Sequence, residues 1–342
     1  MGKRTSFFFA KLFHYEFWPF WFFYIPMYFY GLYLAMKSGS FMYFTTTNPG
    51  MKYSGVMGES KYKVLSSIPR EFVPQTIFIP RSTSYPEILN LIRGANLKYP
   101  LIIKPDVGER GKDVEKIEDP EALRRYLVGK KADLNLQEFI DFDLEFGILY
   151  HRTPGADAGN ITSVVQKGFL HVTGDGVRTL TELMKQEIRI ANRLDYFEEK
   201  YKTKLSVVLP PGEKFLLEPI GNHCRGTTFY NANHLINNEL LDVFDKIALQ
   251  IDGYFYGRFD LKVASLENLY KGKDIKIIEL NGVSSEVAHI YDPEYKLLPA
   301  YRDVFTHMKY IYQIAKENHA SGYPYDSLGK FLYDLKMHLK NK

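Results

Sequence analysis

A pair of predicted strands between Gly257 and Gly282 constrains the fold of this 342-residue chain more than any other feature. Both flanks, GRFDLKV and IKIIELNG, alternate apolar and polar side chains and are rich in β-branched or aromatic residues. Such alternation predicts two paired strands. The charged stretch between them, ASLENLYKGKD, is expected to be a loop.

Polar side chains on this strand pair indicate a metal site. Residues two apart on a strand share a face, so Arg258 and Asp260 are expected to project together, as are Glu279 and Asn281. If the strands are neighbours, three oxygen ligands meet one guanidinium, and such a set suits Mg²⁺. The alternative is two ion pairs on an exposed sheet. The apolar run at 275–280 argues against it, because a carboxylate beside a buried strand needs a partner.

Composition limits the class of protein. The hydrophobic and charged fractions, 45% and 25%, are typical of a folded globular protein, and the length allows about two domains or one large one. The formal charge of +4 is diffuse, without the Arg/Lys stripe of a nucleic-acid-binding surface. A single cysteine, Cys224, excludes an intramolecular disulfide and indicates a reducing, cytoplasmic compartment.

The N-terminus holds an aromatic segment, residues 17–36, that reads FWPFWFFYIPMYFYGLYLAM and carries no charge. Its length permits a membrane span. However, Trp and Tyr prefer the headgroup level, and Pro19 and Pro26 interrupt a helix. We therefore expect an interfacial or re-entrant anchor on the cytoplasmic face of a membrane, with a true span as the second possibility. A broken hydrophobic hairpin buried under the globular part is the third.

The stretch YPLIIKPDVGERGKDVEKI, residues 99–117, indicates an anion site. A buried strand is expected to deliver Lys104, Pro105 ends the pairing, and a glycine-bearing hairpin over 106–112 leads to a second strand. The ammonium and the backbone N–H groups of a Gly-x-x-Gly turn could together hold a polyphosphate. The alternative is an ordinary lysine at the end of a strand. Upstream, the glycine-rich loop at 48–60 could hold an anion or serve as a connector.

A predicted strand–connection–strand unit follows in LNLQEFIDFDLEFGILYHR. The residues from Glu138 to Asp141 fall at the connection, and Glu145 opens the second strand. The backbone of such a junction can hydrogen-bond an adenine edge, and a following carboxylate can hold ribose hydroxyls.

Taken in order, these motifs resemble the ATP-grasp superfamily, closest in pattern to D-alanine–D-alanine ligase and other carboxylate–amine ligases. The resemblance covers about residues 60–295, and GRFDLKV…IIELNG is its most specific part. It implies an α+β (α/β) fold in which two α+β subdomains sandwich ATP, preceded here by the aromatic segment. The expected divisions are 1–55 for the aromatic, membrane-associated part, 56–137 and 138–320 for the two subdomains, and 321–342 for a C-terminal helix.

The resemblance also implies residue roles. It implies ATP and two Mg²⁺ ions, replaceable by Mn²⁺, with Asp260, Glu279 and Asn281 as metal ligands and Arg258 stabilising the acyl-phosphate. The nucleotide contacts that it implies are Lys61 (or Lys63), Lys104, Gly108, Arg110, Gly111, Glu138, Phe139, Ile140, Glu145 and Lys167. Lys104 and Lys167 would also act in catalysis.

Residues 153–228 resemble an insertion. VVQKGFLHVTGDGVRTLTELM is similar to a segment of amide-forming ATP-grasp enzymes such as cyanophycin synthetase, in which a lysine at the position of Lys167 serves the terminal phosphate. The alternative is that Lys167 and Asp175 merely decorate a hairpin. A polar, solvated helix is expected over 180–202. The expected substrate contacts are Arg225, ranked above His223 and also a candidate catalytic group, and, after Asn281, Ser284, Ser285, Glu286 and His289.

The chain departs from the family at its N-terminus. Only about sixty residues precede Lys61, whereas such ligases carry a domain of about a hundred residues there. We therefore expect a hydrophobic, lipid or membrane-borne substrate rather than D-alanine. The first expectation is an ATP-dependent carboxylate–amine ligase, the second a kinase that phosphorylates a hydroxyl, and the third a non-catalytic ATP-binding scaffold. A homodimer is a possible assembly, and no nucleic-acid partner is expected.

Overall fold

The computed structural model describes residues 15–108, 111–190, 193–219, 221 and 225–340. The strands of these ranges are β1 Thr76–Ile79, β2 Leu101–Pro105, β3 Glu115–Ile117, β4 Leu134–Glu138, β5 Leu144–His151, β6 Asn160–Gly168, β7 Leu170–Thr173, β8 Lys214–Glu218, β9 Thr228–Asn231, β10 Tyr256–Val263 and β11 Ile275–Asn281. The α-helices are α1 Phe20–Phe23, α2 Ile25–Ser38, α3 Lys61–Ser66, α4 Tyr85–Gly94, α5 Pro120–Leu127, α6 Leu180–Gln186, α7 Leu194–Lys200, α8 Asn238–Ala248, α9 Leu266–Lys271, α10 Leu297–Ala320 and α11 Leu328–Lys340.

A four-stranded antiparallel sheet forms the smaller of two cores. Its order is β1-β4-β2-β3, so β2 lies between β3 and β4. Helices α4 and α5 contribute Ile88, Ile92 and Leu123 to the apolar layer beneath it. Helix α4 begins with a capping box, in which Ser84 and Glu87 satisfy each other's orphan N–H groups.

A five-stranded antiparallel sheet forms the larger core, in the order β11-β10-β5-β6-β9. Helices α8 and α9 supply apolar side chains to one of its faces, among them Phe244, Ile247 and Leu269. The presence of helices and antiparallel sheets confirms the expected α+β class.

The predicted pairing of the two strands between Gly257 and Gly282 is confirmed. β10 and β11 are antiparallel neighbours, with Arg258 opposite Asn281 and Asp260 opposite Glu279. The expected loop between them was wrong in part, because it contains α9. Ser265 caps this helix by accepting a hydrogen bond from the Asn268 N–H.

A two-stranded ribbon, β7–β8, packs with α6 and α7 into a separate apolar cluster. The single polar helix expected over 180–202 was wrong, because α6 ends at Gln186 and Glu187 has extended dihedral angles. The segment is not fully solvated either, since Leu183, Met184 and Phe197 are buried.

The aromatic segment forms α1 and α2, and one side of it packs on the globular part. Phe23 and Met27 join the core around the start of α10, and Leu34 packs with Tyr312 farther along that helix. Pro26 lies in the first turn of α2, where a missing N–H costs nothing. The segment is therefore packed along one face only, whereas the hairpin alternative expected it to be buried.

The opposite side of the segment is exposed, and we call it the aromatic surface. It comprises Phe20, Trp21, Phe22, Ile25, Tyr28, Phe29, Leu32, Tyr33 and Met36. Among the helices that the structure describes, none combines the length and apolar character needed to cross a membrane.

Candidate active site

A cleft of about 1040 Å³ lies between the two sheets, and we call it the central cleft. Strands β2 and β4 of the smaller sheet supply one wall, and β5, β6, β10 and β11 of the larger sheet supply the other. Its charged lining residues are Lys61, Lys104, Lys112, Glu138, Glu145, Lys167, Asp260, Lys262 and Glu279. The topology thus brings together most of the residues that the motifs singled out.

Lys104 reaches across the cleft from one sheet to the other. Its Nζ donates to Gln137 Oε1 at 3.2 Å and to the Ile278 carbonyl at 3.0 Å. That carbonyl is available because Ile278 is the extra residue of a β-bulge, unpaired with β10. Burial lowers the pKa of Lys104 to about 8, although the nearby Glu279 acts in the opposite direction. The ammonium is therefore poorly solvated and ready to bind an anion.

Lys61 lies at the start of α3 and faces the glycine turn. Its Nζ donates to the carbonyl of Gly108, and its backbone N–H donates to the Asp106 carbonyl at 3.0 Å. Lys63, the alternative for this place, is exposed and does not line the cleft. Gly111 also lines the cleft, whereas Arg110 lies outside the described residues.

Lys167 joins two buried carboxylates of neighbouring strands. Its Nζ lies 2.9 Å from Glu145 Oε1 and 3.2 Å from Asp260 Oδ1, and all three side chains are nearly inaccessible. Burial alone would lower the pKa of Lys167, but Asp260 and Glu145 outweigh it and raise that pKa. Lys167 is thus part of a buried ion network, whereas the alternative expected it to be a side chain on a hairpin without such a role.

Asp260 is held by Arg258 as well as by Lys167. The Arg258 Nη2 lies 3.0 Å from Asp260 Oδ2, and Asn281 donates its amide N–H to the same oxygen at 3.0 Å. Burial would raise the pKa of Asp260, but the two cations together lower it. Gly147 makes this packing possible, because a Cβ there would lie 3.0 Å from Arg258 Cδ and 3.1 Å from Asp260 Oδ1.

The fit of these residues to a divalent cation can be judged from their donor atoms. Glu279 lines the cleft opposite Asp260, and its side chain makes no ion pair or hydrogen bond within the described residues. Asn281 adds an amide oxygen. No group of three or more His, Cys, Asp or Glu side chains within the described ranges could hold a metal by itself. Two carboxylates and an amide nevertheless fit Mg²⁺, which takes its remaining ligands from water and phosphate.

Apolar side chains also line the cleft. Phe139 and Ile140 follow β4, and Ile102 and Ile278 face them from the two sheets. The Glu138 backbone N–H donates to Gln75, so the strand pairing continues up to the junction. Glu145, the expected ribose ligand, lies on the same wall but is paired with Lys167.

The segment after Asn281 accepts two hydrogen bonds from Arg258. The Arg258 N–H donates to Ser285 Oγ at 3.1 Å, and its Nη1 donates to the Glu286 carbonyl at 3.2 Å. The carboxylate of Glu286 accepts hydroxyl hydrogen bonds from Tyr24 and Tyr291. Sequence reasoning missed Tyr24, since nothing local marks a contact across 262 positions.

Two further expected substrate residues lie elsewhere. His289 bonds Ser163 and Asp303 beside a different cavity, and Arg225 pairs with the buried Glu218 at 3.3 Å. Neither is among the described residues that line the central cleft. That His289 and Arg225 contact a substrate stays a prediction. Their positions away from the central cleft do not favour it. His223 lies outside the described residues.

A second cavity of about 600 Å³ adjoins the central cleft and shares Lys61, Gly108, Ile278 and Glu279 with it. Its other polar lining residues are Glu59, Asn281, Ser284 and His338. Sequence reasoning missed Glu59, although the signal was present in a carboxylate within the glycine-rich loop directly before Lys61.

Comparison with known proteins gives a limited result. No protein-family model matches the chain, and a search of curated proteins found no match. Among solved structures, the chain is similar to a bifunctional glutathione synthetase from Pasteurella multocida, with 13% identity over 75% of this chain and a TM-score of 0.39. It spans 38% of the length of that synthetase.

Two further solved structures are ligases of the kind that the sequence motifs resemble. A D-alanine–D-alanine ligase from Bacillus anthracis is 13% identical, with 77% of this chain and 69% of that chain covered and a TM-score of 0.43. A D-Ala:D-Ser ligase from Enterococcus faecalis is 14% identical, with 76% and 59% covered and a TM-score of 0.38. At TM-scores below 0.5, these similarities carry no information about substrate or reaction.

Proposed function

We propose that the chain is an ATP- and Mg²⁺-dependent ligase that joins a carboxylate to an amine, or to a similar nucleophile, through an acyl-phosphate. The observation that carries the proposal is the convergence of three lysines and two carboxylates on one cleft between two sheets. Lys104 comes from the smaller sheet, Lys61 comes from α3, and Lys167, Asp260 and Glu279 come from the larger sheet. Such a donor set suits a polyphosphate with its metal ions.

The residues of the cleft divide by chemistry. Lys61, Lys104 and the glycine turn would hold the phosphates, the apolar lining residues would hold the base, and Asp260, Glu279 and Asn281 would hold the metal. When bound, Mg²⁺ neutralises phosphate charge and orients the terminal phosphate for in-line attack by a substrate oxygen.

Arg258 supplies the positive charge next to the reacting group. Its guanidinium is held by Asp260 and by the Glu286 carbonyl, so its position is fixed before substrate arrives. Fixed donors lower a barrier because they need no reorganisation as charge develops. Arg258 would therefore stabilise the acyl-phosphate and the tetrahedral species formed from it when the nucleophile attacks.

The substrate is proposed to be hydrophobic or membrane-borne, and the aromatic surface is proposed to bind the cytoplasmic face of a lipid bilayer. Trp21 and Phe29 expose 62% and 72% of their side chains. A contiguous exposed apolar patch marks an interaction site, and Trp and Tyr favour the headgroup level. Lys37 in the last turn of α2 adds attraction to anionic lipid.

A phosphate-release screen tests the reaction. The purified chain is incubated with ATP, Mg²⁺, a membrane extract and a set of amino compounds, and the products are identified by mass spectrometry. A ligase releases inorganic phosphate only when both acceptors are present and yields a dehydration product. A phosphorylated product would assign a kinase instead, and binding of ATP without turnover would assign a scaffold.

A matched pair of variants tests the metal assignment. Glu279→Gln removes a carboxylate that makes no hydrogen bond or ion pair within the described residues, so the fold should persist. We expect turnover to fall by on the order of a hundredfold or more, because the metal contributes several kcal/mol of charge stabilisation. The control is Glu267→Gln, an exposed carboxylate on α9. Full turnover in Glu279→Gln would refute the assignment.

A further inference from the structure

Glu59 presents a carboxylate that the proposed chemistry leaves unused. It lines the second cavity, and its Oε1 is inaccessible to solvent without a hydrogen-bond partner. Burial raises the pKa of Glu59 to about 7, although Lys61 acts in the opposite direction. A buried carboxylate oxygen without a partner is costly, so its retention indicates a ligand that supplies the missing donor.

The loop that carries Glu59 is held against the segment that directly follows β11. The Val283 N–H donates to the Ser54 carbonyl at 2.8 Å, and Ser284 Oγ donates to the Gly55 carbonyl at 2.6 Å. A Cβ at Gly55 would lie only 2.6 Å from the Cα of Gly282, so the two backbones approach closely. The position of Glu59 relative to Asn281 is therefore set by backbone contacts.

The C-terminal helix α11 completes the cavity. Its Asp334 accepts from Tyr53 and Lys52, both at 2.9 Å, and this places His338 in the cavity wall. Residues from a segment that precedes Lys61 and from a helix that follows residue 320 thus complete a cavity whose other lining residues belong to α3, the glycine turn, and β11 with the segment after it. The motifs that indicated the nucleotide site do not include the C-terminal helix.

We propose that the second cavity binds the nucleophile as a primary amine, with the Glu59 carboxylate accepting its N–H groups. This inference rests on the proposed function, because an amine in this cavity lies beside Glu279 and Asn281, where the activated carboxylate would form. The amine enters protonated and loses a proton to solvent to become nucleophilic. It then displaces phosphate from the acyl carbon, and the phosphate leaves with the electron pair of the carbon–oxygen bond and takes up the second proton. An amide bond forms, and the carbon–oxygen bond to phosphate breaks.

A binding experiment tests the role of Glu59 without a known acid. Ethanolamine is titrated into the full chain loaded with Mg²⁺ and a non-hydrolysable ATP analogue, and binding is followed by calorimetry or saturation-transfer NMR. Tetramethylammonium, a cation without N–H groups, serves as the ligand control. We expect Glu59→Gln to weaken ethanolamine binding at least tenfold, about 1.4 kcal/mol. The variant control is Glu213→Gln, a remote exposed carboxylate.

The same samples separate the failure of this inference from that of the proposed function. If the ATP analogue does not bind, the proposed function fails. If the analogue binds but ethanolamine does not, or binds Glu59→Gln equally well, the role of Glu59 is refuted. Glu59 Oε1 has no partner to lose, so the melting temperature of Glu59→Gln should equal or exceed that of the wild type. A lower value would assign Glu59 a structural role and overturn the proposal.

Discussion

The Tyr24 hydroxyl donates a hydrogen bond to Glu286 Oε1 at 3.1 Å and so connects the aromatic segment to the candidate active site. Glu286 in turn accepts Arg258 Nη1 through its backbone carbonyl at 3.2 Å. On its other side, the ring of Tyr24 stacks on Phe20, with 4.3 Å between ring centroids, and Phe20 belongs to the aromatic surface. Three contacts thus lead from an exposed apolar surface to the guanidinium.

Tyr24→Phe should lower turnover while leaving ATP affinity unchanged. The variant keeps the stacked ring but loses a hydrogen bond to a carboxylate, which contributes about 1–2 kcal/mol, or roughly tenfold in rate if Arg258 loses its position. Tyr28→Phe is the control, since Tyr28 lies on the same segment with 54% of its side chain exposed. Equal turnover in both variants, or an equal loss of ATP affinity, would show that Tyr24 does not position Arg258.

The pKa of Lys104 predicts the pH dependence of nucleotide binding. Burial places this pKa near 8, so the ammonium predominates at pH 7 and is lost as the pH rises through 8. A charge-assisted contact contributes about 1.5–3 kcal/mol, so ATP affinity should fall roughly ten- to hundredfold between about pH 7 and pH 9.5. Lys104→Met should bind weakly at both pH values, whereas Lys98→Met, an exposed control, should behave like the wild type.

The stability of the ligand-free protein should change with pH in the opposite direction. The folded-state pKa of Lys104 lies below the ordinary value of 10.5, so the unfolded chain binds this proton more tightly. The contribution of Lys104 to the free energy of unfolding therefore rises as the pH increases from 8 to 10.5. Denaturant titrations of the wild type and Lys104→Met across this range measure it, and identical profiles would contradict the assigned pKa.

Lys167 should be as important for stability as for chemistry. Removing it in Lys167→Met leaves Glu145 and Asp260 buried without their shared cation, and breaking a buried ion pair in this way costs about 3–5 kcal/mol. The double variant Lys167→Met/Glu145→Leu should recover part of this loss, because it removes one orphaned carboxylate. Lys185→Met, on an exposed part of α6, is the control. Urea unfolding midpoints give the comparison.

The sequence predicted the features that depend on local pattern. Alternation placed Arg258 and Asp260 on one face because a buried sheet face fixes register, and the pairing with Glu279 and Asn281 follows. It could not predict the β-bulge that frees the Ile278 carbonyl for Lys104. That bulge depends on strands that are far apart in the chain.

Long-range contacts account for the other differences. Glu59 shares a cavity, and Tyr24 a hydrogen bond, with residues that are far apart from them in the sequence, and no rule of residue spacing predicts such contacts. Helix α9 was missed because its cap, Ser265, lies in a charged stretch that is typical of a loop. The sequence did not show that one side of the aromatic segment packs on the globular part, since only the tertiary structure determines which side of α2 meets α10.

The aromatic surface predicts binding to anionic vesicles. Deleting residues 1–40 would remove Phe23, Met27 and Leu34 from the core, so surface substitutions are the cleaner test. Trp21→Glu/Phe29→Glu places two charges on the exposed side and should abolish sedimentation with vesicles of phosphatidylcholine and phosphatidylserine, while the melting temperature stays near that of the wild type. Val128→Glu/Val177→Glu, exposed apolar positions elsewhere, is the matched control. Equal sedimentation of both double variants would exclude this surface as the membrane contact.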